Sequence, residues 1–243
     1  MHFVGVVLAG AVALPPVSSL PTLQRLMYEA KPVYCAGVRG RSVALTFDDG
    51  PGPYTFRLVR VLRQERARAT FFLVGSRVGI WPSAARGVRA VGAVGNHTWS
   101  HPHLAGLAPA DVRQELARTQ QVIWRNVGLV PLVFRPPYEE ATPADDVLVR
   151  SLHLVDVRWS VDAGDSRPGA RPGSVFRTAK AGLRPGAIIL LHDFHPWTAN
   201  VARRLIREAR RRRLRLATVP ELLARQPPSN RQLASSGAER CPS

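Results

Sequence analysis

The sequence predicts an α/β protein forming a single domain, its seven strand-like runs arranged as a parallel barrel, complete or incomplete. Three observations carry that expectation. From Ser42 onward, short apolar runs alternate with longer amphipathic ones. Regular alternation of this kind implies a parallel sheet, open or closed. No Gly-x-Gly-x-x-Gly follows the first apolar run, which favours a barrel over a doubly wound dinucleotide-binding sheet. At 243 residues the chain is long enough for one domain with a substantial core.

Strand-like runs occupy residues 43–47, 69–74, 92–96, 132–134, 154–159, 187–191 and 214–219. Helix-like stretches lie between them at 55–66, 83–90, 109–126, 143–151, 174–181 and 198–211. Pro109 and Pro143 open two of these at the first-turn position that tolerates proline. The domain is expected over residues 41–225. Residues 1–40 read as a leader and linker: an apolar run over 1–14 is followed by Pro15-Pro16 and resembles the apolar region of a signal peptide, although no Lys or Arg precedes it. It is read as an export segment, with a membrane anchor or an apolar first helix as alternatives. Residues 226–243, with Gln226-Pro227-Pro228-Ser229-Asn230 and Ser235-Ser236-Gly237, read as a disordered tail. The expected location is therefore secreted or envelope-associated, and otherwise cytoplasmic.

A composition of 45% hydrophobic and 21% charged residues excludes a disordered chain. No apolar run reaches the roughly 18 residues of a membrane span. The formal charge is +17, and of the 34 basic residues only Lys31 and Lys180 are lysine. Such a charge favours polyanions, anionic cell-envelope polymers among them. No helix-turn-helix, zinc-finger or aromatic-and-basic pattern is present, so no nucleic-acid partner is expected, and the chain is read as a monomer. The densest basic cluster, Arg203, Arg204, Arg207 and Arg210 to Arg213, falls around one helix and reads as a solvated face. Cys35 and Cys241 fit no CxxC spacing; an exported chain would pair them as a disulfide joining its two ends.

Chemistry concentrates at the strand ends. Thr46-Phe47-Asp48-Asp49-Gly50-Pro51 places two adjacent carboxylates where an α/β barrel keeps its site. On a regular strand they would point to opposite faces, so the turn must rotate them to share one site. Alternatively they cap the turn and the helix that follows. Gly95-Asn96-His97-Thr98-Trp99-Ser100-His101-Pro102-His103 holds two histidines four apart, a spacing that on a helical turn brings two imidazoles to one metal. With one Asp they make a two-His-one-carboxylate set that leaves coordination positions open, as catalytic sites do. His103, six residues from His97, falls off that face and reads as a rim residue. Phe134-Arg135-Pro136-Pro137-Tyr138, Trp159-Ser160-Val161-Asp162-Ala163-Gly164-Asp165 and Ile188-Ile189-Leu190-Leu191-His192-Asp193 end three further strand regions in polar groups.

These five motifs in this order resemble the polysaccharide deacetylase family, also known as the NodB-homology or carbohydrate esterase family 4 proteins, over residues 42–223. The resemblance implies a distorted (β/α) barrel of seven to eight units and a divalent metal, zinc first with cobalt or manganese as alternatives, held by Asp49, His97 and His101. It implies hydrolysis of an N-acetyl or O-acetyl group on an acetylated polysaccharide or oligosaccharide such as peptidoglycan, chitin-type oligomers or acetylxylan. It makes Asp48 the general base with Arg135 against it, the Tyr138 N–H an oxyanion donor, and His192 the general acid oriented by Asp165. Leu190 lines the acetyl pocket, and Trp99, Pro137 and Tyr138 are substrate-contacting positions. Two departures stand out: Glu139 occupies the position after the tyrosine where the family commonly has Gly, and Ser166 follows Asp165 where an aromatic is usual. The aromatic wall next to the acid histidine is therefore either missing or supplied by Trp197 or Trp99. The alternatives are a relative that binds sugar or cell wall with weak turnover, and a deacylase of a small amide.

Overall fold

The computed structural model describes residues 22–234 together with Cys241, so the apolar run at 1–14 and Ser235-Ser236-Gly237 lie outside the described residues. Eight strands, all parallel where paired, form one sheet: β1 (Ser42–Gly50), β2 (Ala69–Leu73), β3 (Gly92–Asn96), β4 (Val133–Phe134), β5 (Val155–Asp156), β6 (Val161–Asp162), β7 (Ile188–His192) and β8 (Arg215–Leu216). Their order is β5-β4-β3-β2-β1-β7-β6, with β8 also beside β1. The ends of this path, β5 and β6, are consecutive in the chain, so the sheet curls round as the expected distorted barrel. β6 was not legible in the sequence because it is two residues long and carries no apolar run.

The alternation along β1 shows how the barrel is packed. Val43, Leu45 and Phe47 enter the outer core under α2 (Thr55–Gln64), α4 (Pro82–Arg89) and α8 (Thr198–Arg211), where Phe47 meets Phe71 with ring centroids 5.2 Å apart. Ala44 instead joins Phe72, Val133, Val155 and Ile188 in a second cluster inside the curl, a period of two that leaves Thr46 and Asp48 facing the same interior. α5 (Pro109–Val127) and α6 (Pro143–Ser151) cover the β3–β4 side, α7 (Pro172–Ala181) covers β6, and α3 (Gly75–Ile80) follows β2 directly. Pro109 and Pro143 sit at helix starts, and Thr142 with Asp145 adds a capping box to α6. No helix among the described residues is long and apolar enough to cross a membrane.

The chain ends depart from expectation. α1 (Thr22–Glu29) places Leu26, and α9 (Val219–Arg225) places Val219, Leu222 and Leu223, in the interior cluster. The region read as a disordered tail from 226 continues into α10 (Asn230–Ala234), whose Leu233 is buried. Gln226 is also buried: its Oε1 accepts from the Ser42 N–H at 2.8 Å and its Nε2 donates to the Gly37 carbonyl at 2.7 Å. A Pro-Pro pair and polar composition mislead here because Leu233 and two side-chain amides, Gln226 and Gln232, whose Nε2 donates to the Ala36 carbonyl at 3.0 Å, are enough to dock so short a segment. Cys241 is joined to Cys35 by a disulfide, so the chain's two ends are fastened together.

Candidate active site

Each polar motif sits where a strand of the barrel ends. In β1, the register against β2 slips between Phe47 and Gly50, and Asp49 has φ 67°. This bulge is the rotation that two adjacent carboxylates require: it turns Asp49 toward the side Asp48 already faces. Gly50 has no freedom to be larger, since a Cβ there would come 2.6 Å from Asp193 Oδ2.

His97 and His101 are not on a helical turn. They lie in the loop after β3, where Thr98 and His101 adopt φ 64° and 62°. That loop is held from α5: Glu115 Oε2 accepts the Trp99 and Ser100 N–H groups at 2.7 and 2.8 Å, and Asn96 Oδ1 accepts the Thr98 N–H at 2.9 Å. The outcome equals that of helical spacing, reached by a different backbone. His97 Nε2 lies 3.4 Å and His101 Nε2 3.1 Å from Asp49 Oδ1, and one ligand atom from each residue falls within 4.8 Å of the others. His97 Nδ1 donates to the Arg135 carbonyl at 2.7 Å, which fixes the tautomer and leaves Nε2 as a lone-pair donor. Asp49 Oδ1 is buried with no hydrogen-bond partner of its own. Two imidazole nitrogens around an orphaned buried carboxylate oxygen fit a divalent cation.

Asp48 is buried beside this trio, its Oδ2 4.0 Å from His97 Nε2. Its partner Arg135 comes from the end of β4 and is fully buried. The guanidinium donates from Nη1 to Asp48 Oδ1 at 2.8 Å and Thr46 Oγ1 at 2.7 Å, from Nε to the Val157 carbonyl at 2.9 Å, and from Nη2 to the Arg158 carbonyl at 2.9 Å. Phe72 stacks below it at 4.1 Å. A buried charge so completely bonded is immobile, and it immobilises Asp48. Pro137 and Tyr138 follow in a tight turn. Pro137 is buried, so of these two expected substrate contacts only Tyr138 presents surface. The Tyr138 ring meets His101 edge-on at 4.8 Å and stacks on His103 at 3.9 Å, and His103 is not among the three residues grouped as metal ligands.

On the other side of β1, the register pairs Asp48 with His192 on β7. His192 Nδ1 donates to Asp165 Oδ1 at 2.8 Å while its backbone N–H donates to Asp165 Oδ2 at 2.7 Å. Burial would lower the imidazole's pKa, but the bond to Asp165 and the charges of Asp165, Asp48 and Asp49 prevail and push it up to about 9. Leu190 lies two residues earlier on the same face, buried. The aromatic neighbour of His192 is Phe194, 5.0 Å away, which sequence reasoning missed; the signal was there, two residues past the histidine. Trp197 stacks on His195 instead, and Trp99 lies under the Arg118 guanidinium, so neither tryptophan makes the wall.

A curled parallel sheet with a cation-ready trio and flanking acid and base groups at its strand ends defines a hydrolase barrel. The family model for polysaccharide deacetylases matches residues 36–154. The chain is 42% identical over 163 residues to a chitooligosaccharide deacetylase of Bradyrhizobium sp. (strain ANU 289), covering 64% of this chain and 72% of that protein. It is 33% identical over 153 residues to a peptidoglycan-N-acetylglucosamine deacetylase of Bacillus cereus, covering 62% of this chain but only 55% of that protein. The crystal structure of the Bc1960 peptidoglycan N-acetylglucosamine deacetylase superposes with a TM-score of 0.74 at 28% identity, over 79% of this chain and 92% of that one. The chain belongs to the polysaccharide deacetylase family, hydrolases that act on amide bonds with a divalent metal.

Proposed function

We propose that this chain removes N-acetyl groups from a β-linked amino-sugar polymer or oligomer, peptidoglycan or chitin-type, and that zinc is its metal. One observation carries the reading: the trio of Asp49, His97 and His101 lies between two separately supported proton-handling groups, Asp48 on Arg135 and His192 on Asp165. When bound, the metal polarises the acetyl carbonyl and the attacking water. Asp48 accepts the proton that the water loses as its oxygen bonds to the carbonyl carbon. The Tyr138 N–H donates to the oxygen on which negative charge develops. His192, an imidazolium at neutral pH, gives its proton to the amide nitrogen as the C–N bond breaks, releasing acetate and a free amine. Tyr138 and Leu190 supply the surface against the sugar and the acetyl group.

We also place the chain outside the cytoplasm, on the support of the Cys35–Cys241 disulfide. Its excess of arginine supports retention on anionic envelope polymers. The test of the main reading is acetate release from N-acetylated chitin oligomers, peptidoglycan and acetylxylan after chelation and add-back of zinc, cobalt or manganese. Release from the amide-linked substrates with zinc is expected. Binding without release on every substrate would replace the hydrolase with a wall-binding relative, and turnover of small amides alone would move the substrate class.

A further inference from the structure

The turn that carries the Tyr138 N–H is built from two consecutive left-handed residues, Tyr138 at φ 56° and Glu139 at φ 62°. Neither is glycine, and L side chains avoid this region, so two in succession do not hold without outside support. The support comes from Arg158, in the segment between β5 and β6. Its side chain is almost fully buried and forks: Nε donates to Asp156 Oδ1 at 2.8 Å, Nη2 donates to Asp156 Oδ2 at 2.8 Å, and Nη1 donates to the Glu139 carbonyl. Asp156 is equally buried, so the pair is a fixed post. The same residue's own carbonyl accepts Arg135 Nη2 at 2.9 Å, and its N–H donates to the Val33 carbonyl at 2.8 Å. One residue therefore ties together the arginine that holds Asp48 and the turn that presents the Tyr138 N–H.

We propose that Arg158 is a positioning residue for the deacetylation step, holding the Tyr138–Glu139 turn in its left-handed conformation and in register with Asp48 through Arg135. The proposal rests on the functional reading above. Arg158 touches no reacting atom. What it supplies is a fork: two donors for Asp156 and a third, rigidly set, for the Glu139 carbonyl, which a lysine ammonium on a flexible stem does not reproduce. A glycine at 139 would adopt φ 62° without help. A glycine at 139 would thus lessen the need for Arg158, although Tyr138 would still be left-handed.

The experiment is a two-by-two set of R158K and E139G. R158K keeps a positive charge beside Asp156, so the fold is not left with a buried lone carboxylate. Activity is read as kcat and KM on an N-acetylated chitin oligomer that the wild type turns over, with bound zinc measured in each variant. R158K is expected to lose on the order of 10–100-fold in kcat, the cost of displacing a group by about an ångström, with KM and zinc content little changed. E139G alone is expected to stay near wild type, and adding E139G to R158K should recover part of the loss. Hydrogen exchange at the amides of residues 138–140 forms a second arm that needs no turnover. It should speed up in R158K, where the Glu140 N–H bond to the Pro137 carbonyl opens, and slow again in the double variant. Wild-type kcat and exchange in R158K would overturn the proposal, as would a loss that E139G does not relieve. A wild type that releases no acetate while R158K still loosens the turn would instead defeat the deacetylase reading and leave only the hold of Arg158 on the turn standing.

Discussion

Asp48 and His192 are paired positions on neighbouring strands, yet they are supported in opposite ways. Asp48 is held by a fully buried arginine at the end of β4 that makes four side-chain hydrogen bonds to two other segments, β1 and the stretch after β5. His192 is held by one carboxylate, is partly open to solvent, and has a single aromatic neighbour. The base is therefore part of the fold's interior bracing, whereas the acid is an attachment at the rim. Changes on the first side should disturb fold and chemistry together, and changes on the second should separate them.

The largest effect tests what both sides share. Chelation is expected to abolish acetate release while the thermal melt remains cooperative, because the trio lies at the strand ends and neither large apolar cluster includes it. D49N should likewise lose metal. D48N should keep metal and lose roughly 10²–10⁴-fold in kcat, as removal of a general base does. Equal metal loss in both variants would show that the two carboxylates are not divided in role.

Breaking the bracing comes next. R135M leaves Asp48 as an uncompensated buried carboxylate, and a denaturant melt is expected to show a loss of about 3–5 kcal/mol along with the activity. D165N, the matching change on the acid side, should lower activity with a much smaller change in stability, since only one imidazole and one N–H depend on it for their bonds. Comparable destabilisation in the two would erase the contrast.

What was legible in the sequence follows the same division. The strand-end motifs announced themselves as polar groups directly after apolar runs, and the structure brings their Asp48, Asp49, His97, His101, Arg135, Asp165 and His192 to the strand ends of one barrel. The backbone behind them was less visible. A spacing of four between His97 and His101 suggested a helix, but the φ values of Thr98 and His101 show a loop that Glu115 holds from another element. Arg158 and Asp156, an ion pair two residues apart, fell inside a strand-like run, and nothing marked the bracing role of Arg158 because its other partners, Glu139 and Arg135, are distant in sequence. Long-range polar bonds carry no periodicity, so composition and spacing do not reveal them.

H192A should cost amide substrates most of their rate and acetyl esters less, since an alkoxide departs with less help from an acid than an amine does. Matched N-acetylated and O-acetylated sugars measure the difference, and an unchanged amide rate would remove His192 from the mechanism.

The smallest expected effect concerns what covers His192. With its pKa raised to about 9, the imidazolium is the dominant form at neutral pH and is lost as pH rises through that value, so the amide rate should fall on an alkaline limb near pH 9. D165N removes the chief partner that raises it while leaving the burial that lowers it, and the limb should move to lower pH. The covering aromatic is a finer matter. Ser166 stands next to Asp165 without a ring, but Phe194 already packs against the imidazole, so S166W is expected to move the limb little. F194A should move it more, because water admitted beside His192 screens the Asp165 charge that sustains its proton. The downward shift from D165N should exceed that from F194A, with S166W close to wild type, in a pH–rate series on one N-acetylated oligomer. A larger shift from S166W than from F194A would mean that the open side of the acid faces Ser166 and that Phe194 is only a neighbour.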